Sequence, residues 1–254
     1  MSQVFVVTGE AAAVDKEPRL AYATLSSTAA VTASHDSANV NRVHDGMTTL
    51  GWKPANSASW VQFDGSFTDT DYLAISGANF GSTACTVTVK DSGGNTLASA
   101  SGMSDNQPVF FVFTKATYTV LKVEFTCTNT SLEVGEIYFG ESMQFPKNVS
   151  VGYQPGRWTS NDIVTTGRTE TNQFAGSIVR ARGTTESFTI NHVPTSFMEA
   201  DYKNFMNASR GIPVFFLWDK SNTTQAVFGT WTASKPTFTS SLLSSISLTI
   251  NGVA

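Results

Sequence analysis

Asp45-Gly46 stands in the polar run Asn41 to Trp52, "NRVHDGMTTLGW", and the tryptophan follows six residues after the glycine. A carboxylate in a glycine turn with hydroxyls beside it can hold a hard cation, and an indole can stack on the apolar face of a sugar. The same residues also make a plain corner, in which the aspartate caps its own backbone. Other chemistry is sparse. The three histidines, His35, His44 and His192, stand at no zinc-ligand spacing with one another or with a cysteine. No nucleophile elbow, phosphate-binding Walker loop or dinucleotide glycine fingerprint occurs. "ANFGST" and "DSGGNT" read as turns. Carboxylates are many, but sequence does not place two of them across a cleft. An enzyme is not expected.

The elements that must position these residues are strands. "SWVQFDG" alternates apolar and polar, and "YLAISGANF", "CTVTVKD", "PVFFVFTKA", "TVLKVEFTC" and "LEVGEIYFG" follow. Asp91-Ser-Gly-Gly-Asn95 is a hairpin signal. A boundary is expected near "ESMQFPKN", at Pro146, which cannot donate to a ladder. The units are then 1–143 and 144–254. The second unit has strand runs in "GSIVRARG", "ESFTINHVP", "IPVFFLWD", "AVFGTWTASKPTF" and "SSISLTINGVA", and one helix in "SFMEADYKNFMNASRG". In that helix Ser196 and Glu199 have capping-box spacing, Phe197, Met198, Tyr202, Phe205 and Met206 form a stripe, and Gly211 marks the end.

Composition agrees with a mainly β chain. Of 254 residues 41% are hydrophobic and only 14% charged, with Ser, Thr, Asn and Gly filling the difference. The net charge of −4 divides unevenly, −7 up to Met143 and +3 from Gln144 on. Neither part has a basic run, so nucleic acid is not an expected partner. No apolar stretch is long enough to span a membrane, and the first residues lack the pattern of a signal peptide. Cys85 and Cys127 are therefore expected as buried reduced thiols in a chain made in a reducing cytosol.

"SANVNRVHDGMTTLGWKPANSASWVQFDGS" resembles the discoidin-type family, also known as F5/8 type C and family 32 carbohydrate-binding modules. The resemblance covers about residues 25 to 140: an Asp-Gly loop, a tryptophan, a Trp-Val-x-Phe-Asp-Gly strand and a closing strand Glu136-Ile-Tyr-Phe-Gly140. Asp64 is followed directly by Gly65, where the family has a leucine between them. The resemblance implies a galactose-binding-like jelly roll. It implies a structural calcium ion on Asp45, Glu136 and Thr48 or Thr49, with carbonyls around Val40 to Val43. It also implies that Trp52 and Trp60 face the core and that sugars meet variable loops such as "KPANSAS" and "SGMSDNQ". No cofactor is expected to be required.

The second half is similar in layout to hub or tube-like domains of minor and distal tail proteins of long-tailed phages, β-sandwiches with one flanking helix that pack as rings. This resemblance implies a virion tail-tip protein, assembled in the host cytoplasm, whose partners are copies of itself, other tail proteins and host surface glycans. Arg157, Arg168, Arg180, Arg182 and Arg210 would then form carboxylate forks across subunit boundaries, or else are ordinary surface arginines. The alternative is a stand-alone carbohydrate-binding module of a bacterial surface protein.

Overall fold

The computed structural model describes residues 16–103, 105–155, 163–168, 170–181 and 183–253. It is mainly β, as expected. Among the described residues fifteen strands run in chain order: β1 (Arg19–Ala21), β2 (Ala30–Ala33), β3 (Ala58–Ser76), β4 (Thr86–Lys90), β5 (Thr96–Ala100), β6 (Val109–Thr126), β7 (Glu136–Gly140), β8 (Met143–Gln144), β9 (Ile163–Arg168), β10 (Phe174–Ala181), β11 (Gly183–Pro194), β12 (Val214–Leu217), β13 (Ala226–Ala233), β14 (Thr237–Phe238) and β15 (Leu243–Val253).

The first sheet has six strands in the order β2-β3-β6-β4-β5, with β7 on β3. Sequence runs that read as separate strands are joined here. "SWVQFDG" and most of "YLAISGANF" lie on β3, and β6 spans its two runs likewise. Register shifts between Asp64 and Tyr72 bend the β3–β6 ribbon, and Asp69 takes a left-handed φ of 52° there. The bend folds the sheet over itself. Phe139 of β7 then packs edge-on against Phe63 and Phe67 of β3, with ring centroids 4.9 and 4.8 Å apart.

The second sheet has the order β11-β15-β13-β12-β1-β8, with β14 on β15. Its Ser and Thr content forms cross-strand hydroxyl pairs, Ser187 with Thr249 at 2.9 Å and Thr189 with Ser247 at 2.8 Å. The expected helix is present as continuous turns Thr195–Phe197, Met198–Tyr202 and Lys203–Ala208, the middle one a π-turn. Met198, Tyr202 and Phe205 bury the stripe against this sheet. The capping box does not form. Pro194 is the N-cap, and the Thr195 amide donates to the Leu242 carbonyl at 2.9 Å, so a loop satisfies what Ser196 was expected to.

The two sheets share a seam. In β3, β7 and β12 every residue of the runs 72–76, 136–140 and 214–217 is buried. Alternate side chains serve different cores. Leu73, Ile75, Ile137 and Phe139 face the interior of the first sheet, while Val214 and Phe216 face the helix-covered core. Tyr72, Ala74, Phe110 and Tyr138 meet Ala21, Phe215, Leu217 and Phe228 between the sheets. Burial on both faces explains why these runs read as continuous apolar stretches. The sequence boundary falls within β8, and β1, from the first 143 residues, pairs with β12 and β8 in the second sheet.

Cys85 and Cys127 are bonded to each other, which corrects the expectation of free thiols. They flank the register pair Thr86↔Thr126 of β4 and β6, so strand pairing brings them together.

Candidate functional site

The loop quoted first lies at one end of the first sheet. A 3₁₀ stretch, Ser37–His44, buries Val40 and Val43 and delivers the chain to Asp45. Gly46 follows with φ +82°, and Asp45 Oδ1 accepts from the Met47 amide at 2.9 Å. The corner is thus an Asx turn, as the plainer reading of the sequence has it. It is also more than that. Asp45 lies close enough to Glu136, the first residue of β7, for its charge to raise the Glu136 pKa.

Three backbone segments meet beside this pair. A Cβ on Gly135 would stand 3.0 to 3.2 Å from the Ser76 carbonyl, Thr48 Cα and Gly77 Cα. Glycine is therefore needed for Thr48 to pass against the residue before Glu136. Trp52 and Val134 exchange backbone hydrogen bonds of 2.8 and 3.0 Å, which pins the far end of the loop to the same strand approach. The structure so brings Asp45, Thr48 and Glu136 into one neighbourhood.

Glu136 is 1% exposed, and neither carboxylate oxygen has a hydrogen-bond partner of good geometry among the described residues. Burial first, and then the Asp45 charge, push its pKa up to about 7, against a smaller opposing pull from the Gly46 and Met47 amides. Two facing carboxylates, one with orphaned buried oxygens, fit a cation that would neutralise both. Calcium takes about six to eight oxygens. Among the described residues no group of three or more His, Cys, Asp or Glu could hold a metal, so carbonyls and Thr48 would have to complete the shell.

The two loops expected to meet sugars converge next to this pair. Lys53, from "KPANSAS", bridges to Glu133 at 3.0 Å. Asn106, from "SGMSDNQ", accepts from the Gly81 amide at 2.8 Å. A cavity of ≈ 270 Å³ is lined by Thr48, Gly77, Ala78, Asn79, Asn106 and Glu133, so the second loop reaches it through Asn106 and the first only through the partner of Lys53. Asn79 is held at both ends, accepting from the Glu133 amide and donating to the Ser131 carbonyl, each at 2.8 Å. Asn79 and Glu133 were not singled out in the sequence, because only the folded loops bring them together.

Trp52 is fully buried, as expected, with its indole N–H on the His35 carbonyl at 2.9 Å. Trp60 is not a core residue. Val61 and Phe63 take the inward positions of β3, so alternation turns Trp60 to the outer face, half-buried, with Lys122 Nζ 4.9 Å from its ring centroid.

Arg210 is exposed and donates to Met206 O at 3.3 Å, at the end of its own helix. Arg168 lies on β9 and Arg180 on β10. Arg157 and Arg182 lie outside the described residues.

No family model and no curated protein matches this chain. Solved structures do. A chitosan-binding module from a Paenibacillus sp. IK-5 chitosanase/glucanase is 19% identical, over 46% of this chain and 98% of that one, at a TM-score of 0.37. A Streptococcus pneumoniae fucose-binding module is 17% identical, over 47% and 96%, at 0.37. The CBM32 of AlyQ, in complex with 4,5-unsaturated mannuronic acid, is 18% identical, over 47% and 96%, at 0.37. The structural neighbours of this chain are carbohydrate-binding modules that cover about half of it.

Proposed function

We propose that this protein is a non-enzymatic carbohydrate-binding protein that takes glycans at the loop end of its first sheet. One observation carries the reading. Asn79, Asn106 and Glu133 line a cavity beside the Asp45–Glu136 corner, and Lys53 pairs with Glu133. Amide, carboxylate and ammonium groups held by fixed loops suit hydroxyl recognition, since each sugar hydroxyl both donates and accepts. Asp45, Glu136 and Thr48 would hold a calcium ion. Its charge would let both carboxylates ionise and would stiffen the loop that forms one wall. A glycan array with the whole chain tests the reading. Bound glycans released by Asn106→Ala or Glu133→Gln are the expected result, and an array without hits from a folded protein would refute it.

A second reading is a phage tail-tip protein, a ring of copies displaying this binding unit on the virion, with the arginines at the subunit boundaries. The β9–β10 hairpin favours it. Among the described residues these strands pair only with each other, and Phe174 and Ile178 on β10 are 67% and 71% exposed. An isolated two-stranded ribbon is marginal in water, so a neighbouring copy that covers it would stabilise it. Light scattering across a concentration series decides this, because a monomer at every concentration excludes the ring.

A further inference from the structure

A second cavity, of ≈ 430 Å³, opens where the two sheets meet. Tyr22, just past β1, lines one side with Asp201 and Asn204 of the helix. Asp71 of β3, Lys115 of β6 and Glu141 between β7 and β8 line the other.

The floor of this cavity is fixed before any ligand arrives. Arg19 is 9% exposed, and its Nη1 donates to Asp71 at 2.5 Å and to Ser142 Oγ at 2.9 Å. Its Nη2 donates to Gln144 at 3.0 Å, and the Ser142 amide donates to Asp71 Oδ1 at 2.8 Å. The wall is equally firm, because the Tyr22 ring meets Phe205 edge-on with centroids 5.2 Å apart. The rim is open. Lys115 and Glu141 pair at 2.6 Å with 47% and 60% of their side chains in solvent, and Asp201 is exposed with no ion pair among the described residues. A rigid floor and an accessible rim reduce the ordering cost of binding.

Lining chemistry narrows the ligand. Asp71, Glu141 and Asp201 accept, while Lys115, Asn204 and the Tyr22 hydroxyl donate, around one aromatic wall. Interleaved donors and acceptors beside a ring complement the hydroxyls and the C–H face of a pyranose. Three carboxylates stand against the two cations Lys115 and Arg19, so the excess charge repels an acidic sugar.

We propose that this junction is a second saccharide site, built from both sheets and the helix, for a neutral or amino hexose unit and not for a uronic acid. The inference rests on the carbohydrate-binding reading and goes beyond it, because none of these residues belongs to the loop end.

The test uses the whole chain against immobilised galactose-, glucosamine- and glucuronate-terminated oligosaccharides. Asp201→Ala and Asn204→Ala change exposed side chains, and unchanged melting curves confirm that both fold. Galactose or glucosamine binding that survives Asn106→Ala, and that each of these substitutions added to that variant weakens about five- to tenfold further, is the expected result. Retained galactose and glucosamine binding in both variants overturns the junction site and leaves the loop-end reading standing. A preference for the glucuronate ligand also overturns it. A chain that binds no glycan on any array refutes the carbohydrate reading, and the junction site with it.

Discussion

Arg19 Nη1 lies 2.5 Å from Asp71 Oδ2, and this buried contact ties the second sheet to the middle of the longest strand of the first. Removing Asp71 leaves the buried Arg19 charge with only the longer contact to Glu17, at 3.6 Å. Asp71→Ala should therefore cost about 3–5 kcal/mol in urea unfolding. Replacing both, as Arg19→Met with Asp71→Leu, should recover most of that loss, because the pair's own desolvation cost disappears as well. A single variant within about 0.5 kcal/mol of the parent would show that the contact does not staple the sheets.

The apolar seam around that ion pair predicts one cooperative unit. Phe215 packs on Phe228 at 4.4 Å and on Tyr138 at 5.4 Å between ring centroids. Phe215→Ala should cost about 3–5 kcal/mol and lower the melting temperature of both sheets together. Calorimetry should give a single endotherm for the whole chain. Residues 1–143 alone should bind a hydrophobic dye, since Tyr72, Phe110 and Tyr138 lose their cover. Two well-separated endotherms would contradict the shared core.

The Cys85–Cys127 bond closes a loop with a sequence separation of 42. Loop-closure entropy sets its contribution at about 4 kcal/mol. Reduction should lower the urea midpoint accordingly without unpairing β4 from β6, and Cys85→Ala with Cys127→Ala should match the reduced parent. Equal midpoints with and without reductant would mean that the bond contributes nothing.

Glu136 gives a pH dependence with a definite sign. Its carboxyl keeps its proton to about pH 7 in the fold, against an ordinary value of 4.5. Between these values the folded state binds the extra proton. Without calcium, stability should fall as pH rises from about 4.5 to about 7, and should then level off. Glu136→Gln should remove that slope and gain about 1–2 kcal/mol at pH 7.5. Calcium should raise the melting temperature of the parent at pH 7.5 and leave the variant unmoved. A parent indifferent to both calcium and pH would dismiss the cation reading.

What the sequence disclosed depended on how local each feature is. Alternation in β3, the Asp91–Asn95 hairpin and the Phe197–Met206 stripe are all set within a few residues, and each is found in the fold, while the inward Trp52 comes with the family resemblance. The Asp45–Glu136 approach was reachable only through the family resemblance, because 91 positions separate the two residues. The cysteine pairing depends on β4 lying beside β6, a relation that neither strand's pattern reveals. Trp60 was misplaced by following the family over the alternation, which already put Val61 and Phe63 inside. Asn79, Glu133 and the junction residues Tyr22 and Asp201 carry no local signature at all.

The placement of β1 also bears on the order in which the molecule is made. Arg19 pairs with Leu217, about 200 positions later in the chain. A ribosome can release everything the first sheet needs while β1 still has no β12 to join. Leu20 and Ala21, fully buried in the finished fold, lack the part of their cover that β12 supplies throughout that interval. Folding therefore includes the capture of an early strand by one made about 200 positions later, a high-contact-order pairing of the kind that slows folding and lengthens exposure to aggregation.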